Sequence, residues 1–219
     1  MKKFNPSDLL LLIIWVLPFV YLAVVYKQLP ETVPIHFGIQ GKPDGFGPRA
    51  DVIFLMAITG GASAAAYLLM RFLPSIDPKR QVKYGEDNFN KIGFGIVSFL
   101  SLISLTIIYA VVHNGFKYDN LEFVIISLLF VFLGNMMYNV KPNYFVGIRI
   151  PWTLESEDNW RATHRLAGKL WVGGGIVLTA LMLIIHGQLG VDVFLGFIAL
   201  LSIVPMVYSY RYFKMHTAK

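Results

Sequence analysis

Residues 143–171 read NYFVGIRIPWTLESEDNWRATHRLAGKLW, a polar, motif-like stretch between two long apolar runs. Asn143 to Pro151 carries no helix signature, and Pro151 pushes Ile150 toward an extended backbone. Thr153 or Ser156 can cap a helix that begins near Glu155 or Glu157. Glu155, Glu157 and Asp158 then occupy its first turn, where the helix dipole favours negative charge. From there the helical pattern runs into the following apolar segment. Trp160, His164 and Trp171 fall on roughly one side, and Glu157 precedes Arg161 by four, a favourable helical pair. An interfacial helix explains most of this composition, with Trp at the headgroup boundary and Arg near lipid phosphates. It does not explain Arg149 beside Pro151, Trp152 and Thr153. That Arg reads as part of a folded-back loop, and an Arg there needs a partner because unpaired burial is costly. Glu155, Glu157 and Asp158 are the nearest candidates.

Outward from this stretch the chain is mostly membrane-like. Only 15% of its 219 residues are charged and 56% are hydrophobic, against about 25% charged in a soluble domain. Six apolar runs are expected to span a bilayer: Leu9–Tyr26, Val52–Met70, Ile92–Val112, Leu121–Tyr138, Leu170–Ile185 and Val193–Tyr210. Pro18 and Pro205 are kink candidates. The first run is read as a retained helix, since no small-x-small cleavage site follows it. The fourth ends in Asn135 and Asn139, expected on one helix face. In the second, Gly60 with Ala64 and Gly61 with Ala65 form small-xxx-small pairs, read as packing within the chain. Arg71 to Lys91 reads as a charged loop with Pro74 and Pro78, and His186–Asp192 as a tight turn.

Between the first two runs lies a Pro- and Gly-rich outer loop, residues 27–51, KQLPETVPIHFGIQGKPDGFGPRAD. Val33–Phe37 is expected to be a short extended piece, and Lys42-Pro43-Asp44-Gly45 a turn. Of the 19 Lys and Arg, all but Lys27, Lys42, Arg49 and Lys117 fall on one side of a six-span arrangement. That bias places both termini in the cytoplasm, the 27–51 loop outside and residues 139–169 inside. The same reading absorbs the net charge of +6, so direct nucleic-acid binding is not expected. With no Cys in the chain, disulfide and thiolate chemistry are excluded.

Catalysis is not expected. The sequence holds no HExxH, P-loop or GxSxG pattern. His164 lies seven after Glu157, on one helix face, but a complete catalytic set cannot be assembled. His36 has only Glu31 and Asp44 nearby as obvious co-ligands, so a turn-stabilising role is preferred over a metal site. No metal and no cofactor are expected. A small-solute or peptide transporter or channel is the alternative function, weakened by spans nearly empty of charge.

Asn143, Gly147, Arg149, Pro151, Trp152 and Thr153, followed by Glu157, Trp160, His164, Arg165 and Gly168, resemble the signature of the bacterial SdpI/YfhL immunity-protein family. In the outer loop, Leu29-Pro30, Ile35-His36-Phe37 and Gly41-Lys42-Pro43-Asp44 resemble the membrane module of unknown function that accompanies it. The resemblance implies two modules, 1–91 with spans one and two, and 92–219 with spans three to six. It implies a non-catalytic membrane immunity protein or sensor giving resistance to a secreted killing peptide of SdpC type, which collapses the proton-motive force. It also implies a cytoplasmic SdpR-like repressor as a second partner. The overall expectation is an all-α bundle of six transmembrane helices in the bacterial cytoplasmic membrane, with a structured outer loop and an interfacial helix before span five. The oligomeric state is left open.

Overall fold

A computed structural model of the chain describes residues 6–38, 42–76, 86–116, 120–143 and 145–217. Gly41 of the outer-loop pattern, residues 77–85 of the charged loop, and Lys2, Lys3, Lys117 and Lys219 lie outside the described residues. Helix α1 (Pro6–Val25) is followed by a 3-10 turn at Tyr26–Gln28, strands β1 (Thr32–Phe37) and β2 (Pro43–Pro48), and helices α2 (Ala50–Ile76) and α3 (Glu86–His113). Then come α4 (Leu121–Met137), α5 (Pro151–Glu155), α6 (Glu157–Ile184) and α7 (Gly187–Thr217). Five of these helices are long and apolar enough to cross a membrane; α4, with 17 residues, is shorter. Their exposed faces are apolar, as with Leu9, Phe54, Ile184 and Ile203, which suits hydrocarbon and not water. The chain is a multi-pass membrane protein.

Hydropathy located the apolar part of each long helix but not its ends. Helix α2 continues six residues past the expected Met70, to Ile76, and α3 starts at Glu86 instead of Ile92. Charged residues continue a helix readily once its apolar part is anchored, since backbone hydrogen bonding does not stop at the membrane boundary. The turn expected over His186–Asp192 is shorter, because α7 already begins at Gly187. Gly187 itself holds a φ of 66°, which lets the chain reverse there. Asn139 lies beyond the end of α4, so it does not share a helical face with Asn135 as expected.

The chain packs as two compact units. One comprises Met1–Met70 and Gly93–Glu122; the other comprises Arg71–Ile92 and Phe123–Lys219. In the first, Leu22, Val25 and Leu29 pack with Val33, Val52, Met56, Ile108 and Val111. Trp15 donates to the Gly60 carbonyl at 3.0 Å, and a Cβ on Gly60 would run into the Phe19 ring. By contrast Gly61 faces open space, so of the two small-xxx-small pairs it is Gly60 that serves close packing inside the chain. In the second unit α6 and α7 run antiparallel. The Trp171 indole donates to Leu201 O at 2.8 Å, and Leu178, Met182 and Phe194 form a core with Phe123.

The loop of residues 27–51 holds a two-stranded antiparallel hairpin. Its register pairs Pro34 with Phe46, His36 with Gly45 and Phe37 with Pro43, with irregularities on either side of His36. Residues 43–45, expected as a turn, are therefore strand. At the hairpin's far end the Gly38 N–H donates to Lys42 O at 2.9 Å. Cross-strand pairing and the burial of Val33 on the helix core outweigh the local turn preference of Pro-Asp-Gly.

Candidate functional site: a loop clasped to helix α6

The segment after α4 is folded by Asn143, which is 8% exposed. Its Oδ1 accepts from Phe145 N at 2.8 Å and Val146 N at 2.7 Å, and its Nδ2 donates to Lys141 O and Val146 O, both at 2.9 Å. Both amide protons and both acceptor positions are used. One side chain thus replaces the backbone pairing that this irregular segment lacks. Asn143→Asp removes both donors and turns an anionic oxygen toward two carbonyls. It is expected to cost about 2–3 kcal/mol, seen as a lower thermal midpoint of the solubilised full chain.

The next residues are fastened to α6. Gly147 adopts a φ of 137°, a conformation left to glycine. Ile148 N then donates to His164 Nε2 at 2.9 Å, while His164 Nδ1 lies 2.8 Å from Trp160 O. Nε2 must be an acceptor and Nδ1 the donor, which fixes the neutral Nδ1–H tautomer. The imidazole stacks on the Trp160 indole with centroids 4.1 Å apart, and Trp160 Nε1 donates to Val140 O at 2.9 Å. Both rings are about 1% exposed. One helical turn of α6 therefore holds both ends of the loop.

Ile150 is extended (φ −113°, ψ 159°) and Pro151 opens α5, where a missing N–H costs nothing. Thr153, 2% exposed, binds back to the loop. Its Oγ1 accepts from Ile150 N at 3.1 Å and lies within donating distance of Ile148 O at 2.7 Å and Ile150 O at 2.9 Å. Ser156 caps α6 by accepting from Asn159 N at 3.2 Å. Of the two caps expected, Ser156 serves α6 and Thr153 serves the loop.

The motif divides by burial. Asn143, Gly147, Thr153, Trp160 and His164 build the clasp, whereas Arg149, Pro151, Glu157 and Arg165 are exposed. The expected carboxylate partner of Arg149 is not found: among the described residues Arg149 forms no ion pair, and its exposure removes the need for one. Glu157 instead meets Arg161, Oε2 to Nη2 at 3.1 Å, with both side chains more than half exposed. Such a pair contributes about 0–1 kcal/mol. Trp152 is half-buried, its ring 5.0 Å from that of Tyr210.

A buried polar group was missed from the sequence. Asn159, fully buried, donates to Ser209 O at 3.0 Å and accepts from Thr163 Oγ1 and Ser209 Oγ, both at 2.9 Å. It fixes the register of α6 against α7. Its spacing from Trp160, Thr163, His164 and Ala167 puts it on the buried stripe, and that was the available signal.

In the other unit, His36 Nδ1 and Asp44 Oδ1 lie 2.5 Å apart across the hairpin, both exposed. Phe37 packs edge-on against Phe116 at 5.0 Å. Pro30 is exposed and Pro43 half-buried. Arg49 ties the hairpin base, with its guanidinium 5.4 Å from the Tyr26 ring centre and Nη1 donating to Leu29 O at 3.3 Å. Among the described residues no cluster of three or more His, Asp or Glu could hold a metal ion.

Residues 139–209 match the SdpI/YfhL protein family, and residues 13–61 match a domain of unknown function (DUF1648). Immunity protein SdpI of Bacillus subtilis (strain 168) is 24% identical over 220 residues, covering 98% of this chain and 97% of that protein. An uncharacterized protein of Archaeoglobus fulgidus is 42% identical over 59 residues, 27% of this chain and 30% of that protein. No solved structure matches.

Proposed function

We propose that this chain, whose residues 139–209 match the SdpI/YfhL family, is a member of that family and a non-catalytic immunity protein that protects a bacterial cytoplasmic membrane against a secreted, SdpC-type killing peptide. The observation that carries this reading is the likeness to an immunity protein along nearly the whole of both chains. The site geometry agrees with a binding role. Its buried residues brace a loop, and its exposed residues present cations on that braced surface. Helix α4 is taken as a sixth span: its 17 residues rise about 25 Å, slightly under a hydrocarbon core of about 30 Å. Both termini and the 139–169 loop then face the cytoplasm. The hairpin faces outward, where it would meet the peptide, and the inner loop would meet an SdpR-like repressor. Residues 1–91 and 92–219 are the two sequence modules of this arrangement.

The test is survival. The chain is expressed in a sensitive bacterium lacking its own immunity protein, and membrane potential is followed during challenge with the SDP-type peptide. The potential is expected to hold. Arg149→Ala is expected to change folding stability by no more than about 0.5 kcal/mol, because it is exposed and away from the clasp. It is nevertheless expected to weaken protection at equal accumulation. Cells that depolarise as fast as controls despite correct insertion would remove the immunity reading. Undiminished protection by Arg149→Ala would remove that residue from the contact surface.

A further inference from the structure

The clasp depends on the protonation state of one buried ring. His164 receives the Ile148 N–H on Nε2 at 2.9 Å and uses Nδ1 toward Trp160 O at 2.8 Å. A second proton can go only to Nε2, where it would face the Ile148 N–H. Two donors cannot share that contact, and a buried unpaired donor is costly. Nor can the ring simply turn over, because Nδ1 would then lose Trp160 O and the Trp160 indole lies stacked against it. From the loop the ring is faced by Gly147 and Ile148, and from α6 by Trp160. Val140 and Met137 pack around Trp160. Arg161 and Arg165 of α6, Lys141 and Arg149 of the loop, Glu155 of α5 and Arg211 of α7 are all exposed. Among the described residues none of them bonds to His164, so no carboxylate is in place to stabilise an imidazolium.

We propose that the loop around Gly147 and Ile148 is a pH-dependent latch, closed while His164 is neutral and released when His164 takes up a proton. The Asn143 knot and the Thr153 contacts have no titrating member, so they persist and confine the opening to the segment between them. That segment carries Arg149. Acidification on the side that this loop faces therefore changes where an exposed cation is presented, without unfolding the helices. The inference rests on the loop being a working surface of the proposed immunity protein, and it adds a control over that surface.

The chain contains no Cys, so Arg149→Cys, at an exposed position inside the released segment, gives one thiol for a nitroxide spin label. A second sample carries the label at Leu189→Cys, in the exposed start of α7. Both are full-length chains in lipid bilayers, with no killing peptide present. Between about pH 8 and about pH 4.5, the mobile component at position 149 is expected to grow several-fold along a one-proton curve. The label at 189 should not change. In His164→Gln, whose side-chain carbonyl accepts without titrating, the spectrum at 149 should stay unchanged throughout. A flat parent curve overturns the latch, as does parallel change at 189 or a transition that survives in His164→Gln. If His164→Gln does not fold, the parent curve with its control at 189 still decides. The labels read the loop alone and survival reads protection, so either reading can fail without the other.

Discussion

Gly147→Ala is expected to lower the stability of the folded chain by about 3 kcal/mol or more, although it adds only one methyl group. Two costs combine. A φ of 137° is a conformation that an L side chain adopts only under strain of about 1–3 kcal/mol. The added Cβ would also sit 2.5 Å from His164 Nε2 and 2.8 Å from two atoms of the Trp160 ring. Neither ring can retreat, since each is held by a hydrogen bond on its far side. Overpacking of this kind costs about 1–3 kcal/mol in its own right. The comparison is Gly173→Ala in α6, where nothing lies within 4 Å of the new Cβ. There the gain in helix propensity should raise stability by about 0.5–1 kcal/mol. Thermal unfolding of the solubilised full chains separates the two. A Gly147→Ala melting curve that overlays the parent would mean that the loop is not clasped to α6 by His164.

This clasp was half legible in the sequence, and the half that was missed has a physical reason. Trp160 and His164 share a stripe because helical period is a local property, and the extended Ile150 and the Ser156 cap follow from neighbouring residues. The direction that Arg149 takes is set by the φ of Gly147 and by a ring 16 residues after Ile148, neither of which leaves a periodic mark. The expectation of a buried Arg149 paired with an acid came from its neighbours in sequence, whereas a single glycine turns the chain so that the guanidinium stays outside. The Asn159–Ser209 link joins residues 50 apart and was hidden in the same way. In the β1–β2 hairpin local chemistry misled in the opposite way. Pro43-Asp44-Gly45 has strong local turn chemistry, and pairing with β1 overrode it. The apolar runs themselves were plain, because a membrane demands about 20 apolar residues in a row whatever they pack against.

The motif's two kinds of residue call for different experiments. Removing an exposed residue such as Arg149 tests recognition, because nothing in the fold leans on it. Removing a clasp residue tests folding first, and any loss of protection that follows is indirect. A variant that loses both stability and protection identifies no binding residue, which is why accumulation must be matched before survival is compared.

Gly168→Leu carries the second large expected effect, since it acts where two helix backbones nearly touch. A Cβ on Gly168 would lie 2.9 Å from Gly134 O and 3.1 Å from Tyr138 N, and one on Gly134 would lie 2.7 Å from Val172 N. Further along α6, Gly175 meets Ser127 O in the same manner at 2.9 Å. These neighbours are backbone, so no rotamer change relieves the clash and α4 must move away from α6. A leucine there is expected to cost more than about 3 kcal/mol and to shift the thermal midpoint well below that of Gly174→Ala. At Gly174 the obstacle is the end of the flexible Leu201 side chain. The effect should also reach the loop. Displacing the end of α4 draws Val140 O away from Trp160 Nε1, and the indole that backs His164 loses its anchor. Gly168→Leu and Gly147→Ala should therefore be non-additive, the double variant falling short of the summed losses because the first change has already opened what the second would break. Full additivity would mean that the helix seam and the loop clasp are independent, and that the end of α4 does not position the loop.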